Sequence, residues 1–156
     1  MRRFAMCCCA VVLVACGKSE DRPAADEMAD ATAAPAAPAP IALADVAGTW
    51  AVRVMPESGD STLLSFEMVA TADTSGWAFT FPKRSPVPVR VVAVDGDSIV
   101  TEAGPFESNL RKGVQVTSRT VNRLQDGKLV GATTARYATS GPDSVAHLRF
   151  EGTRAP

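Results

Sequence analysis

Large apolar side chains recur at every second position in three successive stretches of the chain. Trp50, Val52 and Val54 share one parity, with Arg53 on the other; Leu64, Phe66, Met68 and Ala70 share one, with Ser65 and Glu67 opposite; Trp77, Phe79 and Phe81 share one, with Ala78 and Thr80 opposite. A period of two puts alternate side chains on opposite faces of an extended backbone, so each stretch is a strand with one buried row. Similar runs rich in Val, Thr and Phe, separated by Gly, Asp, Ser and Pro, continue to the last residues. They predict eight strands: Thr49–Met55, Ser61–Thr71, Trp77–Phe81, Val87–Val94, Ser98–Ala103, Val114–Leu124, Lys128–Tyr137 and Ser144–Glu151. Even strand lengths with turn signals between them make an all-β domain over 45–156, an antiparallel barrel or a sandwich. A domain of about 112 residues is long enough to bury one core.

The turns set register. Asp95-Gly96 and Asp126-Gly127 suit two-residue hairpins, because a type I′ turn needs positive φ at both central positions. A turn at Asp126-Gly127 pairs Gln125 with Lys128 and Leu124 with Leu129, and the inner row then continues as Val114, Val116, Ser118, Thr120, Asn122 and Leu124 against Leu129, Gly131, Thr133, Ala135 and Tyr137. The middle of that row is small and polar, so it cannot fill a lumen as the aromatic strands do. A ligand cavity lined by Trp50, Phe66, Phe79, Ser118, Thr120, Asn122 and Thr133 is one expectation, since pockets combine apolar walls with a few placed polar groups. The other is that these hydroxyls bond across the barrel or to water. Gly59-Asp60-Ser61, Gly96-Asp97-Ser98 and Pro142-Asp143-Ser144 form a weak recurrence read as turn chemistry, and Pro82 to Pro88 as a loop or the frayed start of an edge strand.

Little in the domain is suited to catalysis. His147 is the only histidine and lies in the last predicted strand; no Gly-x-Ser-x-Gly nucleophile turn occurs. Glu102 and Glu107 flank Gly104-Pro105, read as an exposed turn that leaves their titration ordinary. No metal-ligand cluster is present, so neither a metal, a cofactor nor an enzyme activity is expected. The outer parity of the sixth and seventh strands carries Arg119, Arg123, Lys128 and Arg136, read as a solvated face. It lacks the aromatic interleaving of a nucleic-acid platform, and residues 45–156 hold twelve basic and twelve acidic side chains, leaving no net field to attract a polyanion.

The N-terminal part is different. Arg2 and Arg3 precede an apolar run from Phe4 to Ala15 that ends in Leu13-Val14-Ala15-Cys16-Gly17. About 12 apolar residues fall short of the roughly 20 that span a bilayer but match the apolar core of an export signal. The tetrapeptide ending at Cys16 resembles the lipobox of bacterial lipoproteins. That resemblance implies a signal peptide over 1–15, a diacylglycerol on the Cys16 thiol and a further acyl chain, such as palmitate, on the amine exposed by cleavage. At about 0.8 kcal/mol per buried CH₂ one chain holds marginally, and two or three anchor stably. Of the four cysteines, Cys7, Cys8 and Cys9 would leave with the signal and Cys16 would be consumed by lipid. Gly17 stands where the family places Asp for inner-membrane retention, which implies a cell-envelope address at the outer membrane, facing the periplasm. Residues 16–44 read as a disordered linker, rich in Ala and Pro from Ala31 to Pro40 and carrying a net charge of −3.

Gly48-Thr49-Trp50 opens the first strand. A Gly-x-Trp in that place resembles lipocalins and other calycins, small eight-stranded up-and-down barrels in which the Trp closes one end beside an Arg from the last strand. The resemblance implies closure by Gly48 and Trp50 with Arg149 or Arg154, and a binding role for a small apolar ligand or an envelope component. The run Ile41 to Trp50 is also similar to the opening of bacterial metalloprotease-inhibitor barrels, whose N-terminal arm enters a protease cleft; their disulfide is absent here. Protease inhibition is therefore the second expectation, and a structural envelope protein without ligand the third.

Overall fold

The structure, a computed structural model, describes residues 40–156. The expected lipobox, signal peptide and most of the expected linker lie outside the described residues. Eight antiparallel strands follow one another round a closed barrel: β1 (Gly48–Pro56), β2 (Leu64–Ala70), β3 (Ala78–Thr80), β4 (Val87–Asp95), β5 (Ser98–Glu107), β6 (Gln115–Gln125), β7 (Lys128–Tyr137) and β8 (Val145–Arg154). Each strand pairs with the next, and β8 returns to β1 through pairs running from Trp50↔Arg154 to Pro56↔Leu148. Up-and-down closure leaves no free sheet edge over most of the wall, which is how small all-β domains avoid edge pairing. A four-residue helix, α1 (Leu43–Val46), precedes β1 and covers one end; a 3₁₀ turn (Pro142–Ser144) precedes β8.

The alternating rows face inwards as expected. Trp50, Val52, Val54, Met68, Ala70, Trp77, Phe79 and Phe81 are all buried in one core with Ile99, Leu129 and Phe150. The hairpin at Asp126-Gly127 has φ of 51° and 74° and pairs Leu124 with Leu129, the expected register. The other hairpin sits one residue later than expected. Asp95 pairs with Ser98, so Gly96 and Asp97 form the turn, and only Gly96, at 52°, takes positive φ. Glycine at the first central position is the preference of a type II′ turn, and the Ser98 hydroxyl completes it by donating to Asp97 Oδ1 at 2.7 Å.

Strand β5 also departs from expectation. It does not turn at Gly104-Pro105 but bulges there, the register slipping between Ala103 and Phe106 before the strand continues to Glu107. Gly104 has φ of 109°, and a Cβ there would lie 2.6 Å from the Val116 carbonyl oxygen, so the bulge admits only glycine. The bulge lets Phe106 join the inner face.

Folded chain begins before the expected boundary at Ala44. Ile41 and Leu43 pack on the core, Val46 is fully buried, and the Ile41 N–H donates to the Gly96 carbonyl at 2.8 Å. Three successive carbonyls at the end of α1 receive side-chain donors: Arg154 Nη2 on Asp45 and Nη1 on Ala47, each at 2.7 Å, and Trp50 Nε1 on Val46 at 2.8 Å. The Arg154 guanidinium lies 4.5 Å from the centre of the Trp50 ring, an arrangement worth about 0.5–2 kcal/mol. Gly48 leaves room for it, since a Cβ there would stand 2.8 Å from Arg154 Nη1. Of the two arginines expected to meet Trp50, Arg154 does so. Arg149 reaches the opposite end of the barrel and binds Asp60 and the Gly59 carbonyl.

Candidate functional site

The lumen has two unlike walls. On one, β2, β3, the turn after β3 and the bulged β5 bring together Phe66, Phe79, Phe81 and Phe106, with ring centres 5.0 Å (Phe66 to Phe79), 4.9 Å (Phe66 to Phe81) and 5.9 Å (Phe81 to Phe106) apart. On the other, β6 and β7 present Ser118, Thr120, Asn122 and Thr133, all inward by the register Ser118↔Ala135, Thr120↔Thr133 and Asn122↔Gly131. Both walls border one cavity of about 80 Å³, which opens at the end away from α1. Among the residues expected to line it, Phe66, Phe79, Ser118, Thr120, Asn122 and Thr133 do. Trp50 does not; it is fully buried beneath α1, where its N–H is already satisfied.

The polar groups of the lumen are mostly committed to one another. Asn122, 1% exposed, donates through Nδ2 to the Ile99 carbonyl at 2.9 Å and to Thr101 Oγ1 at 3.1 Å, locking β6 to β5. Thr120 and Thr133 share a hydroxyl–hydroxyl bond of 2.9 Å. Ser118 Oγ is different: among the described residues it is the one buried side-chain oxygen or nitrogen without a partner. An unpaired buried hydroxyl costs about 1–3 kcal/mol, and a polar atom supplied by a bound molecule removes that cost.

Several other residues also line the cavity. Tyr137 belongs to the inner row expected of β7, Leu148 and Phe150 follow from the alternation of β8, and Phe106 is hidden from a sequence reading by the bulge. Ser108, Asn109 and Leu110 come from the β5–β6 loop, which has no periodicity to read. That loop is built on Ser108, whose Oγ accepts the N–H groups of Leu110 at 3.1 Å and Arg111 at 3.0 Å. Arg111 then lies 4.0 Å over the Tyr137 ring and donates to the Asp143 carbonyl at 2.7 Å, so the loop partly covers the mouth. A lumen of about 80 Å³ is well below the ~300–1,000 Å³ of pockets for drug-sized molecules. It suits the end of a narrow apolar chain.

Outside the barrel, the expected basic face is largely neutralised. Arg119 meets Glu102 at 2.7 Å, Arg123 meets Asp97 at 3.1 Å and Lys128 meets Glu151 at 2.9 Å; Arg136 has no ion pair among the described residues. Glu102 also takes Arg90 at 2.8 Å, and the Arg90 and Arg119 hydrogen bonds hold its carboxyl below the usual carboxylate range, against the ordinary titration expected of it. Bonds from Lys128 do the same for Glu151, and the Ser98 hydroxyl, then Arg123, for Asp97. A carboxyl lowered in the folded state adds stability that is complete above its unfolded value and is lost as pH falls through the folded one. The melting temperature should therefore fall as pH drops from about 5 to about 3. Glu102→Gln should flatten that fall when melting is followed by circular dichroism; an identical pH profile in the variant removes Glu102 from the account.

His147 is exposed on the outer face of β8, opposite Thr134. Among the described residues no three His, Cys, Asp or Glu side chains converge as a metal would need. Compared with models of known protein families, with curated proteins and with solved structures, the chain matches none.

Proposed function

We propose that this chain is a non-enzymatic binding protein of the cell envelope, anchored by acyl chains on Cys16 and taking a small apolar ligand in the barrel lumen in the manner of a lipocalin. The support is the lumen itself: an aromatic wall faces a hydroxyl wall, and Ser118 Oγ is buried there without a partner. The protease-inhibitor reading gains nothing from the segment ahead of β1, because an inhibitory arm must project and Ile41 to Ala47 is docked against the barrel.

Native mass spectrometry of the full chain tests the lumen. An apolar molecule should co-purify with it, and Ser118→Leu should empty it. Leucine fills the cavity and removes a hydroxyl that has no partner to lose, so the variant should also gain about 0.5–2 kcal/mol of stability. A variant that folds and still carries the molecule would move the binding site elsewhere. The anchor is tested separately: Cys16→Ser should shift the protein from the membrane to the soluble fraction, and persistence in the membrane fraction would remove the acyl anchor.

A further inference from the structure

Strand pairing stops early along one seam of the barrel wall. β3 pairs with β2 only at Glu67↔Thr80, Met68↔Phe79 and Val69↔Ala78. On its other side β3 pairs Ala78 with Pro88, which has no N–H, and the Val89 N–H donates to the Trp77 carbonyl at 2.9 Å. Hydrogen-bonded and non-bonded pairs alternate along an antiparallel ladder, so Trp77 and Phe79 turn their backbone groups to β4, while Ala78 and Thr80 turn theirs to Val69 and Glu67. Two residues before Glu67, the N–H and C=O of Ser65 face the same way. The register would set Pro82 opposite Ser65, and a proline has no N–H to give. The chain leaves the sheet there, in a turn closed by the Arg84 N–H on the Phe81 carbonyl at 3.3 Å. One rung of the β2 edge is thereby left without a partner strand, at an exposed residue.

An open groove of about 930 Å³ lies over this rung, between the turn and the outer faces of β1 and β2. Val52, Phe66 and Phe81 close it off from the lumen, the two rings standing 4.9 Å apart between centres. Three cations line the groove, Arg53, Lys83 and Arg84, against one acid, Glu67. Arg84 is tied down, donating to the Glu107 carbonyl at 2.8 Å and Asn109 Oδ1 at 3.0 Å. Arg53 lies directly across from Ser65 in the β1–β2 pairing and stands 3.6 Å from Glu151, whose carboxylate Lys128 holds more closely at 2.9 Å. Lys83 is exposed and has no salt bridge among the described residues. Its φ is 60°, at the second central position of the turn, where Gly or Asn is preferred. Turn geometry gives no reason for a lysine there, whereas a negative charge in the groove does.

We propose that this groove docks an extended acidic segment of a partner protein, which adds to the β2 edge at Ser65 and sets a carboxylate beside Lys83 and Arg53. Recognition of this kind draws affinity from main-chain hydrogen bonds and specificity from the side chains that flank them. The open rung favours a peptide over other polyanions, because a peptide backbone offers, within one residue, both the acceptor and the donor that Ser65 calls for. Charge decides which peptide. A basic segment brought to a rim with two loosely held cations is rejected, and an acidic one is drawn in. The site works from the outside of the barrel and does not depend on what the lumen holds.

The test is fluorescence polarisation of a labelled seven-residue peptide of alternating Glu and Thr, titrated with the full chain. The peptide should bind at least about tenfold more tightly than its Gln-for-Glu counterpart at low ionic strength, and that preference should shrink as salt is raised. Lys83→Asn should weaken binding about three- to fivefold, the scale of an exposed charge pair, and Lys83→Arg should restore it. Asparagine tolerates positive φ, so the variant should melt no lower than the parent. Replacing the peptide's amides by esters one at a time leaves the protein untouched, and should weaken binding about three- to tenfold at one position or more. Ser65→Pro removes the N–H that faces the groove and no hydrogen bond of the barrel, so it should abolish binding in a chain that remains folded. An ester series without loss, or a folded Ser65→Pro chain that binds as the parent does, overturns strand addition. Binding of polygalacturonate that depends on Lys83, with none of the peptide, would make the groove a carbohydrate site and overturn the proposal, as would a peptide that does not bind at millimolar concentration.

Discussion

Trp50→Ala should lose about 3–5 kcal/mol of folding stability, the range for truncating a large buried aromatic side chain. Trp50 is fully buried, and its effect extends beyond its own contacts. Its N–H is the donor to the Val46 carbonyl, and its ring is the surface on which Arg154 lies while binding the carbonyls on either side. Without the indole, α1 loses its central tie, and Val46, itself fully buried, loses its neighbour in the core. Against a total stability of about 5–15 kcal/mol for a domain of this kind, the variant should sit near its unfolding midpoint in mild urea. Trp50→Phe separates the two contributions. It keeps most of the apolar burial and a ring under Arg154 but leaves the Val46 carbonyl unpaired, at about 1–3 kcal/mol. Urea unfolding of both variants decides the matter: if Trp50→Ala costs no more than Trp50→Phe, the closed end is not held through packing of the indole.

Gly131→Ala should be as damaging, although it adds a single methyl group to the central part of a strand. A Cβ at Gly131 would fall 1.9 Å from the Val121 carbonyl oxygen and 2.7 Å from Phe150 Cε1. The first of these is backbone and cannot rotate away, so β6 and β7 must separate where Asn122 faces Gly131, and the Phe150 ring must leave its place across β8. Overpacking of a core costs about 1–3 kcal/mol and more where backbone has to move, and a loss of about 3 kcal/mol or more is expected here. Gly127 is the control. A Cβ there meets nothing, so Gly127→Ala should cost only the local price of its φ of 74°, about 1–2 kcal/mol. Equal losses at the two positions in thermal or urea melts would show that steric exclusion at Gly131 is not what the barrel depends on.

Alternation is a local property of extended backbone, and it identified the inward rows of β1, β2 and β3 because each strand must bury one face whatever its neighbours are. The hairpin at Asp126-Gly127 was equally legible: a two-residue turn defines which residues oppose each other along both arms, and this placed Ser118, Thr120, Asn122 and Thr133 on one wall. The second hairpin misled because Asp95-Gly96-Asp97 offers two overlapping pairs that both suit a tight turn, and the pairing of β4 with β5 selects the later one. Phe106 was missed for a related reason: Gly-Pro reads as a chain reversal, yet the neighbouring β6 keeps β5 in the sheet through a bulge.

The residues alone determined an all-β domain, a barrel or a sandwich, and its inner rows, since these follow from spacing along a single stretch of chain; closure of one end by Trp50 was implied only by the resemblance of Gly48-Thr49-Trp50 to calycins. Only the tertiary structure decided that Arg154 rather than Arg149 meets Trp50, that Arg119, Arg123 and Lys128 find acids on adjacent strands, that Ser118 is left without a partner, and that β3 pairs with β2 over three residues alone. Each of these depends on which parts of the chain, distant in sequence, closure of the barrel brings to the same place, and no local pattern contains that information.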